Sequence, residues 1–317
     1  MSKHNFEVKQ NNLNSNVFNL ARNFSTETVN SWGIAVEKSN RNPKCDCGKS
    51  CNKKTCGNTR DSYWVANNGT DTLIKYDSEG RIVTVVSVSS GGPTGIVINH
   101  SNNFGGYFIL IATESGTVEG YNPNVGPNTV TVINNPGAIY KGIEIADNKL
   151  YVTNFFTGFV EAYDTNFNFI NSFTGQGLLN VGYAPFNIAA HKNKLYVTFA
   201  KQDEDKEDDV AGIGHGYVNT FAFDGTFIAR LINRGPLNSP WGLEFYGDFL
   251  YVGNFGDGRI NVFNRKTGEF IGPLTDKNKN ILANDGLWGI ANISSGLAFA
   301  AGIDHEDNGL FGLLCFI

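Results

Sequence analysis

Apolar and polar residues alternate in short runs along this chain, and the runs return in groups of four. The clearest marker opens each group: SWGIAV at Trp32, PTGIVI at Thr94, YKGIEI at Lys141, PFNIAA at Phe186, PWGLEF at Trp241 and LWGIAN at Trp288. The steps between these six positions are 62, 47, 45, 55 and 47 residues, close to the period of propeller blades. A second apolar run follows each phrase, as in YWVANNG, LYVTNFFTG and LYVGNFGDG, and then a third, as in TLIKYDSEG and FVEAYDTN, ending in Asp, Asn and Gly turn residues that suit a hairpin. Fourth runs such as RIVTVVSV and FIARLI complete the group. Four strands per repeat predict an all-β, six-bladed β-propeller. A β-sandwich has no reason to repeat six times. The last repeat stops at GLFGLLCFI after three strands, and VFNLARNF at Val17 to Phe24 has no blade of its own. The two therefore predict one shared blade that closes the ring and leaves no open sheet edge. In this reading the phrase Gly lets the innermost strand run close to the axis, while the Trp, Phe or Thr beside it fills space between blades.

Composition agrees with many short strands and tight turns: 317 residues carry 37 Gly, 9 Pro, 1 Met, 13% aromatics and only 17% charged residues. A net charge of −5 argues against a nucleic-acid surface, which needs concentrated positive charge. No apolar run is long enough for a membrane-spanning helix. The polar start MSKHNFEVKQNNLNSN has no apolar core of a secretory signal, so residues 1–16 are expected to be a flexible tail and 17–317 a single domain, in a protein kept inside a cell. Sequons at Asn23, Asn68, Asn99 and Asn292 are then accidents of an Asn-rich chain.

The segments GGPTGIVIN, YKGIEIA, GYAPFNIA, GPLNSPWGLEF, VGNFGDGRINVFN and, above all, YVTFAKQDEDKEDDVAGIGHG resemble a family of NHL-like six-bladed β-propellers. The resemblance covers roughly Val17 to Leu314. Most bacterial members of that family are secreted, some with PEP-CTERM sorting signals, and related sequences occur in large DNA viruses of amoebae. The chain is expected to be without the bacterial signal and anchor and adds a Cys-rich insert, which would suit such a virus, in host cytoplasm or virion. The resemblance implies a fold without implying a reaction.

Two inserts interrupt the repeat. Residues 40–60, in blade one, hold Cys45, Cys47, Cys51 and Cys56 in a basic stretch. The first spacing is too tight for a standard zinc knuckle, which leaves one or two disulfides, Zn2+, or reduced thiols as readings. Residues 201–216, in blade four, hold Asp203, Glu204, Asp205, Glu207, Asp208 and Asp209. They are oxygen ligands of the kind Ca2+ accepts, without EF-hand order; a solvated acidic loop is the plainer reading.

A third candidate is the ring of residues just after the second strands: Asn67, Glu114, Asn154, Lys201, Asn254 and Asp304. Equivalent loops of successive blades converge on one channel mouth, where such groups would bind Ca2+ or a small molecule, unless the asparagines only form turns. Two functions follow. The first is a non-catalytic module, open to packaging in a virus particle, that presents its loops to a protein partner while Phe155, Phe199 and Phe255 plug the channel. The second is a calcium-dependent lactonase or esterase, in which Asp304 or His305 positions water. No sequence feature supports a catalytic nucleophile.

Overall fold

The computed structural model describes residues 15–23, 28–39, 61–124, 126–294 and 296–316. Its twenty-four strands, β1 to β24 in chain order, form six four-stranded sheets. In five of them the strand order is the sequence order. The sixth has the order β1-β24-β23-β22, with β1 (Ser15–Asn23) antiparallel to β24 (Asn308–Phe316) and Val17 opposite Leu314. The predicted closure by the chain's two ends is therefore present, and the closing strand already includes Ser15 and Asn16. The Cys-rich insert, with Cys45, Cys47, Cys51 and Cys56, lies outside the described residues. Among the described residues no helix is long and apolar enough to cross a membrane.

The innermost strands are β2 (Ser31–Glu37), β6 (Pro93–Ile98), β10 (Tyr140–Ala146), β14 (Tyr183–His191), β18 (Pro240–Tyr246) and β22 (Leu287–Ile293). Each carries the repeated phrase, at its first residue in five blades and from Pro185 in β14. Alternation along the strands sends successive apolar side chains into the gaps on the two sides of each sheet, as Val65 and Ala66 do, and six apolar clusters form, one per gap. A seventh cluster lies on the axis and contains Trp32, Phe155, Phe186, Trp241 and Trp288.

Both halves of the phrase act differently from the expectation. A Cβ on Gly33 would lie 2.4 Å from the Thr94 carbonyl oxygen, one on Gly95 3.0 Å from that of Lys141, and one on Gly289 2.5 Å from that of Trp32. The glycines thus let each inner strand approach the next blade's inner strand, all the way round the ring. Blade four has Asn187 in that column, and its Nδ2 donates to the Trp241 carbonyl at 2.8 Å, replacing close approach with a hydrogen bond. The aromatic residue before the glycine points to the axis, not into the gap between blades.

Candidate functional site: the two ends of the axial channel

Antiparallel pairing sets the end of each second strand beside the start of its inner strand. Ser31 faces Asn67, Tyr140 faces Asn154, Tyr183 faces Lys201 and Pro240 faces Asn254. The predicted ring and the phrase therefore share one end of the channel, called here the upper mouth.

That mouth is filled. The Trp32 and Trp288 rings stack with centroids 3.6 Å apart, Phe255 stacks on the other side of Trp288 at 3.9 Å, and Trp241 meets both tryptophans edge-on at 6.2 and 6.0 Å. Phe186 packs on Trp288 and in turn on Phe155. Of the three plug residues expected from sequence, Phe155 and Phe255 take part, whereas Phe199 turns into the gap between blades three and four with Tyr183 and Leu178.

Lys141 occupies the phrase position of blade three. Its side chain is 1% exposed, yet its ammonium has three partners: the Glu114 carboxylate, Asp208 Oδ1 at 3.3 Å, and the face of Trp32 at 4.8 Å. Burial pulls the Lys141 pKa down, but the two carboxylates outweigh it and hold it above the ordinary value. Glu114 is fixed from the other side by Asn68 Nδ2 at 2.8 Å, so blades one, two, three and four meet at one ammonium.

The acidic insert is a hairpin bent over this mouth. Val210 N–H donates to the Lys201 carbonyl at 2.8 Å, Asp203 N–H to that of Asp208 at 2.9 Å, and Asp203 Oδ1 accepts the Glu207 N–H at 3.0 Å. Glu204 and Asp205 face solvent at the tip, while Asp208 reaches Lys141. Burial pushes the neighbouring Asp209 carboxyl up to about 6. Glu306 completes the mouth by accepting the Trp288 Nε1–H at 3.0 Å, and its carboxyl is pushed up by burial and by repulsion from Asp208, Asp209 and Glu114.

The other ring residues serve their own turns. Asn67 accepts the Ser31 hydroxyl at 2.8 Å and donates to the Val65 carbonyl. Asn154 donates to Glu161 at 2.8 Å and accepts the Thr157 N–H. Asn254 donates to the Pro236 carbonyl at 2.9 Å and to Asp257. Asp304 and His305 are exposed at the tip of a turn in which residues 304, 305 and 306 all have positive φ, of 56°, 59° and 68°; the turn delivers Glu306, not these two, to the mouth. Among the described residues no three His, Cys, Asp or Glu side chains form a group suited to a metal ion.

The opposite end of the channel is open. A funnel of about 1120 Å³ runs down between the inner strands to their far turns, with Trp241 among its lining residues. Its walls carry small residues in the column three positions past the marker residue of the phrase: Ala35, Val97, Ala189 and Ala291. Blades three and five carry Glu144 and Glu244 in that column. Glu144 accepts the N–H groups of Ile145 at 2.8 Å and Ala190 at 3.0 Å; Glu244 accepts those of Phe245 at 2.8 Å and Asn292 at 2.9 Å. Burial raises both, Glu144 to about 7 against the two N–H donors and with added repulsion from Glu244. Lys141, Glu306, Glu144 and Glu244 escape a motif search. A column-by-column alignment of the repeats marks Lys141, Glu144 and Glu244 as charged residues among aromatic or small ones.

No family profile matches the chain. It is 32% identical to the uncharacterized protein R648 of Acanthamoeba polyphaga mimivirus over 97% of this chain and 80% of the relative, and 30% identical to protein L690 of the same virus over 96% and 85%. Among solved structures, a luciferin-regenerating enzyme aligns at TM-score 0.61 with 10% identity over 95% of each chain. A streptogramin B lyase aligns at 0.57 with 10% identity over 96% of this chain and 97% of its own. At that identity the solved structures share the fold alone.

Proposed function

The chain belongs to the family of the mimivirus proteins R648 and L690, and we propose that it works as a non-catalytic binding module, a rigid disc packaged by a virus of that kind, with a protein as its partner. The observation that supports this reading is the ammonium of Lys141. A metal-dependent hydrolase at a propeller mouth needs its divalent ion among inward carboxylates on the axis. Here Glu114 and Asp208 already hold a cation there, supplied by the chain itself. A divalent ion about 4 Å from that ammonium meets roughly 8 kcal/mol of repulsion at an effective dielectric constant of about 20. Directly beneath, the stacked Trp32 and Trp288 occupy the space a substrate carbonyl would need.

The test is elemental analysis of full-length protein purified without chelator, together with an aryl-ester and lactone screen with and without added calcium. The expected result is no stoichiometric divalent ion and no turnover above buffer. One calcium per chain, lost in Glu114→Gln along with hydrolysis, overturns the reading. Packaging is tested by immunoblot of gradient-purified particles: a constant ratio to capsid protein is expected, and signal confined to the unpackaged fraction removes the virion from the proposal.

A further inference from the structure

We infer that the lower funnel is a binding site for a small polar organic amine, whose alkylammonium group is held between Glu144 and Glu244 with its body against Trp241. The reading is independent of what the upper mouth does.

Size comes first. At about 1120 Å³ the funnel exceeds what a sugar-sized or drug-sized ligand occupies. Charge comes next. Its charged lining residues are Glu37, Lys38, Glu144, Asp147 and Glu244. Glu37 is taken by Lys75 at 2.8 Å and Asp147 by Lys149 at 3.0 Å, both within their own blades. Lys38 acts electrostatically on Glu244, whereas the charge acting on Glu144 is that of Glu244. Among the described residues Glu144 has no ion-pair partner, and a cationic ligand would stabilise such a half-buried carboxylate.

The two glutamates do have a structural task, since each takes an N–H from the next blade's inner strand. Ring closure does not require it. Four of the six blades close with Ala or Val in the same column. The acids therefore add something that the fold alone does not need. Trp241 supplies the second feature. It is 4% exposed, lines the funnel, and its indole N–H has no hydrogen-bond partner among the described residues. An aromatic face suits an ammonium, and the unpaired N–H suits a hydroxyl or amide oxygen elsewhere on the same ligand.

The probes are glucosamine and ethanolamine, with N-acetylglucosamine and glucose as neutral controls. Binding to the full-length protein is read by isothermal titration and tryptophan fluorescence at low salt. Both amines are expected to bind with a submillimolar to low-millimolar Kd and the neutral sugars at least about ten-fold more weakly. Glu144→Gln should lose about ten-fold in affinity for the amines. Because Glu144 also bonds the next blade, Glu244→Gln is the second variant, and melting temperatures check that both fold. Trp241→Phe should weaken glucosamine more than methylamine, which has no oxygen. Failure of both amines to bind, equal binding of the neutral sugars, or unchanged affinity in both folded glutamate variants overturns the site.

Discussion

At the upper end of the channel the six inner strands present Trp32, Thr94, Lys141, Phe186, Trp241 and Trp288; three residues along, the same strands present Ala35, Val97, Glu144, Ala189, Glu244 and Ala291. The first set fills the axis and the second leaves a funnel of about 1120 Å³. Strand geometry does not make the difference. The phrase glycines bring neighbouring inner strands into contact around the ring, so the channel's width is set by backbone approach. Side-chain volume then decides which end is sealed. A propeller can therefore change from plugged to open through a handful of axial substitutions, without disturbing the cores between blades.

The largest effect that tests this contrast is removal of the centre of the plug. Trp288 touches Trp32, Trp241, Phe186 and Phe255, and its N–H holds Glu306. Trp288→Ala should lower stability by about 3–5 kcal/mol, the usual cost of truncating a large buried aromatic. Ala35→Ser, at a half-buried position on the funnel wall, should change it by less than about 1 kcal/mol. Urea unfolding compares them; equal losses would mean that the plug is no better packed than the wall.

A smaller effect is expected from Lys141→Met, which keeps the volume and removes the charge. Breaking a buried pair usually costs 3–5 kcal/mol because the abandoned charge stays buried. Here the abandoned side chains are Glu114, 32% exposed, and Asp208, 74% exposed, and water can reach both. The expected loss is about 2 kcal/mol, accompanied by faster amide exchange or proteolysis of residues 203–209 once the hairpin loses its anchor. An unchanged exchange rate there would show that the hairpin's own hydrogen bonds hold it.

Much of this architecture was legible in the chain. Blade count, strand order and closure by the strand that begins the chain's fold, Ser15–Asn23, followed from a phrase repeated six times, because each repeat must bury its apolar face on the next. The destination of side chains at the axis was not legible. Phase along a strand tells one face from the other, but both faces of an inner strand look into gaps between blades, as Ile34 and Ala35 do on either side of β2, and the channel runs along its free edge, which the alternation does not mark. In the sequence Lys141 is marked only as the phrase position of YKGIEI, with no role, because its partners come from loops distant in sequence. Asp304 and His305 are singled out in the sequence and Glu306 is not; a turn with three positive φ angles delivers Glu306 to the mouth instead.

The smallest expected effect separates the two ends by pH. Burial raises the Glu144 carboxyl in the folded chain to about 7, from an ordinary value of 4.5. Between those values the folded chain holds a proton that the unfolded chain has released. The associated stability is therefore present in full below about pH 4.5 and is lost as pH rises through 7. Glu144→Ala removes that dependence and leaves the upper mouth intact. Asp209, raised to about 6, has the same sign but is present in both proteins and cancels from their difference. The stability of the parent relative to Glu144→Ala should thus fall by on the order of 1 kcal/mol between pH 5 and pH 8, less than the full shift would give because the carboxyl lines an open funnel. A gap that stays constant with pH would mean that water enters the funnel freely enough to solvate Glu144, and would bring the lower end closer to ordinary protein surface than to a binding site.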